Sequence, residues 1–186
     1  MTTCAIACPR EGTPQDLKSA GIIDNDEVIL RASYDPMHWR TGRVANSFVR
    51  AEDLFKGELS VWRSSMKSGL SLADVFSIAK RLGPNGQVVK QLHGPTAQQI
   101  RDIVCDQGHR LFCVVDETET DGLGGFHHAH AHIRICDGKR ASMADTKDVM
   151  FQAARERLIF FMKQPDSTYQ PNGRPVSNEA ATANPV

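Results

Sequence analysis

Residues 126–135 read Phe-His-His-Ala-His-Ala-His-Ile-Arg-Ile, and polar and apolar residues alternate along most of this stretch. A period of two is typical of a strand with one buried face. The alanines and isoleucines would pack on a core, whereas the polar side chains would be displayed together, toward solvent or in a cleft. His127 would point to the opposite face or lie in the preceding loop. The residues predicted to share the polar face are His128, His130, His132 and Arg134.

A second strand is expected upstream of the histidines. Residues 110–115 read Arg-Leu-Phe-Cys-Val-Val, a mostly apolar run typical of a buried strand. Residues 116–125 follow as an acidic, glycine-rich loop, and Asp137-Gly138 is a turn signal after the histidines. We therefore expect an antiparallel hairpin in which the histidine strand runs back beside residues 110–115.

The remaining elements are helices and strands in irregular order. Ser71-x-x-Asp74 and Thr96-x-x-Gln99 are capping-box patterns that begin helices. Irregular alternation with at least one hairpin predicts an α+β domain, with a largely antiparallel sheet packed with about three helices. A third helix is expected over 145–163, and short strands over 28–33, 44–49, 59–62 and 87–92.

A single domain accounts for the 186 residues. Residues 1–26 contain several prolines and glycines and are predicted to be a loose lead-in. Residues 27–164 form the predicted globular domain. Residues 165–186 are rich in Pro, Asn, Ser, Thr and Ala and offer little to bury, which predicts a disordered tail.

Charge and composition narrow the class of protein. Lysine plus arginine equals aspartate plus glutamate, 22 each, so the zero net charge does not indicate nucleic acid as a partner. No segment approaches the ~18 apolar residues of a membrane-spanning helix. The five cysteines are odd in number, and three lie in apolar segments, which favours free thiols in a reducing compartment. We therefore expect a soluble, cytoplasmic protein.

The histidine face is the leading candidate site. Successive side chains on one strand face lie ~7 Å apart, so two neighbouring imidazoles can share a zinc ion, whereas three in a row cannot easily do so. His130 is the central member and would pair with His128 or with His132. The other ligands would come from the acidic loop or from more distant histidines, namely Asp116, Glu117, Glu119, His93 or His109.

Two mechanisms of hydrolysis fit such a face. In one, the histidines and a loop acid such as Glu117 hold a divalent ion that lowers the pKa of a bound water. In the other, paired histidines act as general acid and base. Asp116 can either ligate the metal or orient an imidazole across the hairpin. Both mechanisms predict a phosphoesterase-like hydrolase of a phosphorylated or nucleotide-like small molecule.

Two further features bear on anion or nucleotide binding. Arg31 lies mid-strand between apolar residues, where an unpaired charge is costly, so it is either a paired structural arginine or an anion-binding residue at a cleft. Residues 38–43 place Trp39 beside Arg40 in a loop. An aromatic ring among cations can stack a base and contact phosphate, although a loop tryptophan can also simply fill a core.

The order of three residue types resembles that in the ADP-ribosyltransferase family. The chain has an arginine on its first strand (Arg31), a serine on a later strand (Ser60) and a histidine late in the sequence (His130). In that family the arginine binds the dinucleotide, the serine shapes the ribose pocket, and a glutamate or histidine acts late in the chain. The resemblance implies an NAD-using transferase as an alternative enzyme.

A third alternative is not an enzyme. The histidine strand could be an exposed sheet edge or pairing surface of an interaction or immunity-type module. The partner would then be a protein rather than a small molecule, and zinc would be a structural ion.

Overall fold

The computed structural model describes residues 10–11, 20–65, 68–105, 108–120, 126–136, 139 and 142–171. In this part of the chain the helices are α1 (Ala51–Lys56), α2 (Leu72–Leu82), α3 (Ala97–Arg101) and α4 (Val149–Met162). The strands are β1 (Val28–Asp35), β2 (Trp39–Arg40), β3 (Arg43–Val44), β4 (Leu59–Ser64), β5 (Val88–His93), β6 (Phe112–Asp116), β7 (Glu119–Thr120), β8 (Phe126–His127), β9 (His130–Ile135) and β10 (Thr168–Tyr169). Two short 3-10 turns cover Asn46–Phe48 and Pro165–Ser167.

Six strands form one antiparallel sheet in the order β10-β5-β1-β4-β9-β6. β6 and β9 are neighbours, with Val115 opposite His132, so the predicted hairpin is confirmed. The pairs β2–β3 and β7–β8 form separate two-stranded ribbons. The α+β class with a mostly antiparallel sheet is confirmed, and the described residues contain four helices instead of about three.

Helices cover both faces of the sheet. Residues of α1, α3 and α4 share a core with one face, which we call the three-helix face. α2 packs on the other face, the α2 face, against β5, β1 and β4. Ile29 of β1 belongs to the first core and Leu30 to the second, and both are fully buried. Burial from both sides explains the continuous apolar run at the start of β1.

Both predicted capping boxes are present. Ser71 Oγ accepts a hydrogen bond of 3.3 Å from the backbone N–H of Asp74, and the Asp74 carboxylate accepts one of 2.9 Å from the N–H of Ser71. Thr96 and Gln99 make the same reciprocal exchange at the start of α3. Each box satisfies N–H groups that a helix leaves without a partner in its first turn.

The expected strand over 44–49 is wrong. β3 ends at Val44, and Asn46–Phe48 form a 3-10 turn that buries Phe48 completely in the three-helix core. Burial of this side chain outweighs local strand propensity. The helix α1 that follows was not predicted, because six residues are too few to show a 3.6-residue period. Its C-cap is Gly57, whose φ of 81° lies in the left-handed region that favours glycine.

Parts of the predicted N-terminal lead-in and of the predicted C-terminal tail pack against the domain. The carboxylate of Glu11 accepts hydrogen bonds from Arg110 Nη1 at 2.7 Å and from the N–H of Val114 at 2.6 Å. At the other end, β10 pairs with β5, and Thr168 is buried opposite His93. The prediction of disorder is therefore wrong for residues 165–169, and residues 172–186 of the predicted tail lie outside the described residues.

Two observations bear on the expected environment of the chain. Cys105 carries a free thiol, whereas Cys113 is disulfide-bonded, so the expected free thiol is not found at that position. Across the described ranges, no helix has both the length and the apolar character needed to cross a membrane.

Candidate functional site

The histidine strand alternates as predicted from residue 130 onward. On β9, Ala131, Ile133 and Ile135 are buried in the three-helix core. His130 and His132 therefore lie on the α2 face, since successive strand residues point to opposite sides. His130 is paired with Trp62 of β4, and His132 with Ser60.

Two hydrogen bonds of His130 fix its tautomer. Nδ1 lies 2.9 Å from the backbone carbonyl oxygen of Glu117, and Nε2 lies 2.7 Å from Ser60 Oγ. A carbonyl oxygen only accepts, so Nδ1 carries the hydrogen, and Nε2 of the neutral ring accepts from the Ser60 hydroxyl. A hydroxyl, a base and a group that orients the base stand in the order required for an activated nucleophile.

His132 and Glu117 form a second pair beside the first. His132 Nδ1 lies 2.7 Å from Glu117 Oε2, and the side chains of His132 and Glu117 are 19% and 50% exposed. The rings of His130 and His132 meet edge to face with their centroids 4.7 Å apart. Glu117 thus orients one imidazole through its backbone and the other through its carboxylate.

Aromatic rings pack against the buried side of this site. The Trp62 ring contacts His130 edge to face at 5.1 Å and His127 at 5.2 Å. His127 therefore lies on the same side of the sheet as His130, contrary to the expectation that it would point away or lie in a loop. The sequence carried one signal for Trp62, namely its position two residues from Ser60 on one strand.

Arg134 is a cation on the α2 face. It follows His132 by two residues and is half-buried, and its Nε atom is buried without a hydrogen-bond partner among the described residues. Its side chain lies against Gly57, where an added Cβ would come within 3.1 Å of Arg134 Cβ. No carboxylate of the described chain forms an ion pair with Arg134.

His128 does not lie on the strand that carries His130 and His132. β9 begins at His130, and His128 lies in the preceding turn, where its exposed ring donates from Nε2 to the carbonyl oxygen of Ser68 at 3.0 Å. The predicted three-histidine face is therefore a pair, His130 and His132. Among the other candidate ligands, His93 lies on β5 and His109 in the loop before β6, and Glu119 pairs through its backbone with His127.

Asp116 lies on the opposite side of the sheet from the histidine pair. Its carboxylate binds Arg63 Nη1 at 2.5 Å, and the fully buried Arg63 also binds Glu27 Oε1 at 2.7 Å. Burial alone would raise the pKa of Glu27, but the hydrogen bonds and charge of Arg63 outweigh it and hold that pKa below its usual value. Asp116 is therefore a partner in a buried ion-pair network and does not contact the imidazoles.

Arg31 also lies apart from the histidine pair. Its guanidinium donates to the backbone carbonyl oxygens of Phe48 at 2.6 Å and Ser60 at 2.7 Å. Burial lowers the pKa of Arg31 to about 10. The structure thus brings Ser60 and His130 together, whereas the side chain of Arg31 points to the three-helix face, as a structural arginine would.

A second serine–histidine pair lies near the β2–β3 ribbon. His93 Nε2 is 3.0 Å from Ser33 Oγ, and His93 Nδ1 is 3.2 Å from the carbonyl oxygen of Met162. Ser33 Oγ also accepts from Trp39 Nε1 at 3.3 Å. Arg40 is not part of this pair, and its Nη1 donates to the carbonyl oxygen of Pro36 at 2.6 Å. Sequence reasoning did not identify Ser33, because its partner is sixty residues away.

The described residues do not fit the predicted metal site. Nowhere in the described ranges do three or more His, Cys, Asp or Glu side chains converge as metal ligands. Both ring nitrogens of His130 already face protein atoms, and among the described residues only His132 and Glu117 remain at the site as candidate ligands. We therefore derive no chemical step through a metal.

Comparisons with protein-family models, with curated proteins and with solved structures found no match. The candidate chemistry accordingly depends on the geometry alone.

Proposed function

We propose that this protein is a hydrolase of phosphoesters whose reactive groups are Ser60, His130 and His132. The observation that carries this proposal is the 2.7 Å contact between Ser60 Oγ and His130 Nε2, with His130 Nδ1 held by the backbone of Glu117. The Ser60 hydroxyl is half-buried and has no other hydrogen-bond partner in the described part of the chain. Its lone pairs are therefore free to attack.

The proposed first step forms a covalent intermediate. Ser60 Oγ attacks phosphorus as its proton passes to His130 Nε2, and the bond from phosphorus to the leaving oxygen breaks. The carbonyl oxygen of Glu117 holds Nδ1–H and stabilises the imidazolium that forms. His132, oriented by the Glu117 carboxylate, donates a proton to the leaving alcohol.

The second step releases phosphate. Water attacks the phosphoserine, His132 accepts a proton from that water, and His130 returns its proton to Ser60 Oγ. The unpaired guanidinium of Arg134 supports a phosphorylated substrate over a neutral ester, because it can stabilise the charge on the phosphoryl oxygens in both steps.

The test is hydrolysis of three chromogenic substrates: p-nitrophenyl phosphate, bis(p-nitrophenyl) phosphate and p-nitrophenyl acetate. We expect turnover of a phosphoester, and a loss of about 100-fold or more in Ser60→Ala and His130→Asn. Arg134→Gln should lower kcat/KM for the phosphoester but not for the acetate. Mass spectrometry of protein quenched with acid should find one phosphoryl group on Ser60.

Ser33→Ala is the matched control, because it removes a serine hydroxyl from the other serine–histidine pair. It should keep the wild-type rate. Equal rates for Ser60→Ala and wild type would contradict the proposal. A folded chain with no turnover of any of the three substrates would favour the interaction-module alternative instead.

A further inference from the structure

A cavity of about 340 Å³ opens between the β2–β3 ribbon, β5 and the end of α4. We call it the hairpin pocket. It lies on the three-helix side, where His93 lines it, and so is separate from Ser60 and His130 on the α2 face. Its lining includes Trp39, Arg43, Gln91, His93 and Lys163.

The hairpin pocket carries positive charge and no counterion from the described residues. Arg43 and Lys163 line it, and no carboxylate is present among its described lining residues. Arg43 is exposed and makes no ion pair with the described chain. Lys163 Nζ donates to the carbonyl oxygen of Val44 at 2.9 Å and to Asn46 Oδ1 at 2.6 Å, both neutral groups. An ammonium has three hydrogens, so one donor of Lys163 remains for a ligand.

The same pocket also contains side chains that can bind a planar heterocycle. The indole of Trp39 is held in place by its hydrogen bond to Ser33, which is 3.3 Å long. The side-chain amide of Gln91 makes no hydrogen bond with the described residues, so it presents both a donor and an acceptor. A fixed aromatic ring beside such an amide can stack a heterocyclic base and hydrogen-bond its edge.

We propose that the hairpin pocket binds a nucleoside monophosphate. The phosphate contacts Arg43 and Lys163, and the base stacks on Trp39 within reach of Gln91. A volume of about 340 Å³ lies at the lower end of ligand-binding cavities and suits a mononucleotide better than a dinucleotide.

Isothermal titration of the full chain with AMP, GMP, CMP and UMP tests this proposal. The nucleotide that binds best is then compared with its nucleoside and with inorganic phosphate. We expect the nucleoside to bind at least about tenfold more weakly than the nucleotide, since it forgoes the charge-assisted hydrogen bonds. Ligand quenching of tryptophan fluorescence should disappear in Trp39→Phe, which leaves Trp62 as the remaining tryptophan.

The β2–β3 ribbon supplies a matched control. Arg40 and Arg43 are cross-strand partners and both are exposed, but only Arg43 lines the pocket. Arg43→Ala should raise the Kd of the nucleotide about tenfold and leave that of the nucleoside unchanged, whereas Arg40→Ala should change neither. Both variants should melt as the wild type does.

Three results would overturn the proposal: no binding of any of the four nucleotides at millimolar concentration, equal weakening by Arg40→Ala and Arg43→Ala, or loss of binding in Ser60→Ala. The last would place the nucleotide at the serine–histidine site. Because the pocket shares no side chain with that site, hydrolysis and nucleotide binding can fail independently.

Discussion

Ser33 and His93 form a hydrogen-bonded pair whose geometry closely matches that of Ser60 and His130. In each pair the serine hydroxyl faces Nε2, at 3.0 Å and 2.7 Å respectively, and a backbone carbonyl oxygen holds Nδ1. The pairs differ in access. Ser33 is fully buried and also bonded by Trp39, whereas Ser60 is half-buried and bonded through its hydroxyl to His130 alone among the described residues.

Because of this difference, the same substitution should act differently at the two serines. It should mainly lower stability at Ser33 and mainly abolish hydrolysis at Ser60. Ser33→Ala leaves the Trp39 N–H and the His93 ring short of a partner in a buried place, and should lower the free energy of unfolding by about 1–3 kcal/mol. Ser60→Ala should lower it by less and abolish hydrolysis. Urea unfolding and the hydrolysis assays would check both predictions. A larger loss in the free energy of unfolding for Ser60→Ala than for Ser33→Ala would contradict this interpretation.

Substitution of His130 should lower the free energy of unfolding more than substitution of His132, although both residues are proposed to act in hydrolysis. His130 is 1% exposed and both ring nitrogens are hydrogen-bonded, so His130→Ala should lower the free energy of unfolding by about 2–4 kcal/mol. His132→Ala, with a partly exposed ring, should lower it by about 1 kcal/mol or less. Denaturant midpoints of the two variants measure the difference.

Stability should fall as the pH drops below neutrality, because His93 is buried in its neutral form. Burial lowers the pKa of His93 to about 4, and the positive charges of Lys163 and Arg31 act in the same direction. In the unfolded chain the His93 imidazole therefore binds a proton near pH 6.5, whereas in the folded chain it does so only near pH 4. The contribution is complete above about pH 6.5 and is lost across this window, up to about 3 kcal/mol.

Urea unfolding of His93→Gln as a function of pH tests that assignment. The variant should show a shallower fall in stability between pH 6.5 and pH 4 than the wild type. A residual slope is expected from His38, whose pKa burial also lowers to about 4. His128→Gln, which changes an exposed histidine, is the control and should retain the full slope. A wild-type slope in His93→Gln would contradict the prediction.

The buried Arg63 network should be intolerant of losing one partner. Asp116→Ala leaves the charge of Arg63 neutralised by Glu27 alone in a site with no solvent access, and should lower the free energy of unfolding by about 3–5 kcal/mol. Asp116→Asn keeps a hydrogen-bond acceptor for Arg63 and should be milder. Thermal unfolding of the two variants checks the order, and a loss in Asp116→Asn as large as that in Asp116→Ala would contradict it.

Two truncations would separate the contribution of β10 to stability from that of residues 172–186. Ending the chain after Gln164 removes β10 and the 3-10 turn before it, including the buried Ser167 and Thr168, and uncovers the edge of β5. We expect a loss of about 2–3 kcal/mol, or a drop in Tm of roughly 4–12 °C. Ending it after Pro171 should leave the Tm nearly unchanged, since the composition of residues 172–186 offers little to bury. Equal melting of the two truncated chains would show that β10 contributes no stability.

The sequence by itself determined the elements whose signals are local. Alternation along residues 129–135 gave a strand with a buried face of Ala131, Ile133 and Ile135, and the two capping boxes marked the start of α2 and α3. Each signal depends on neighbours within four residues, so no distant contact was needed to read it. The antiparallel pairing of β6 and β9 was predictable because an acidic, glycine-rich loop separates two consecutive strand patterns.

Only the tertiary structure decided which side chains meet. The register of β4 against β9 places Ser60 beside the histidines, and β-strand period two assigns Asp116 and His132 to opposite faces of the sheet. Ser60 and His130 are seventy positions apart in the chain, and a shift of one residue in register would reverse every face. The order of residue types suggested a candidate chemistry, but register and burial determined that Ser60, His130, His132 and Glu117 lie together.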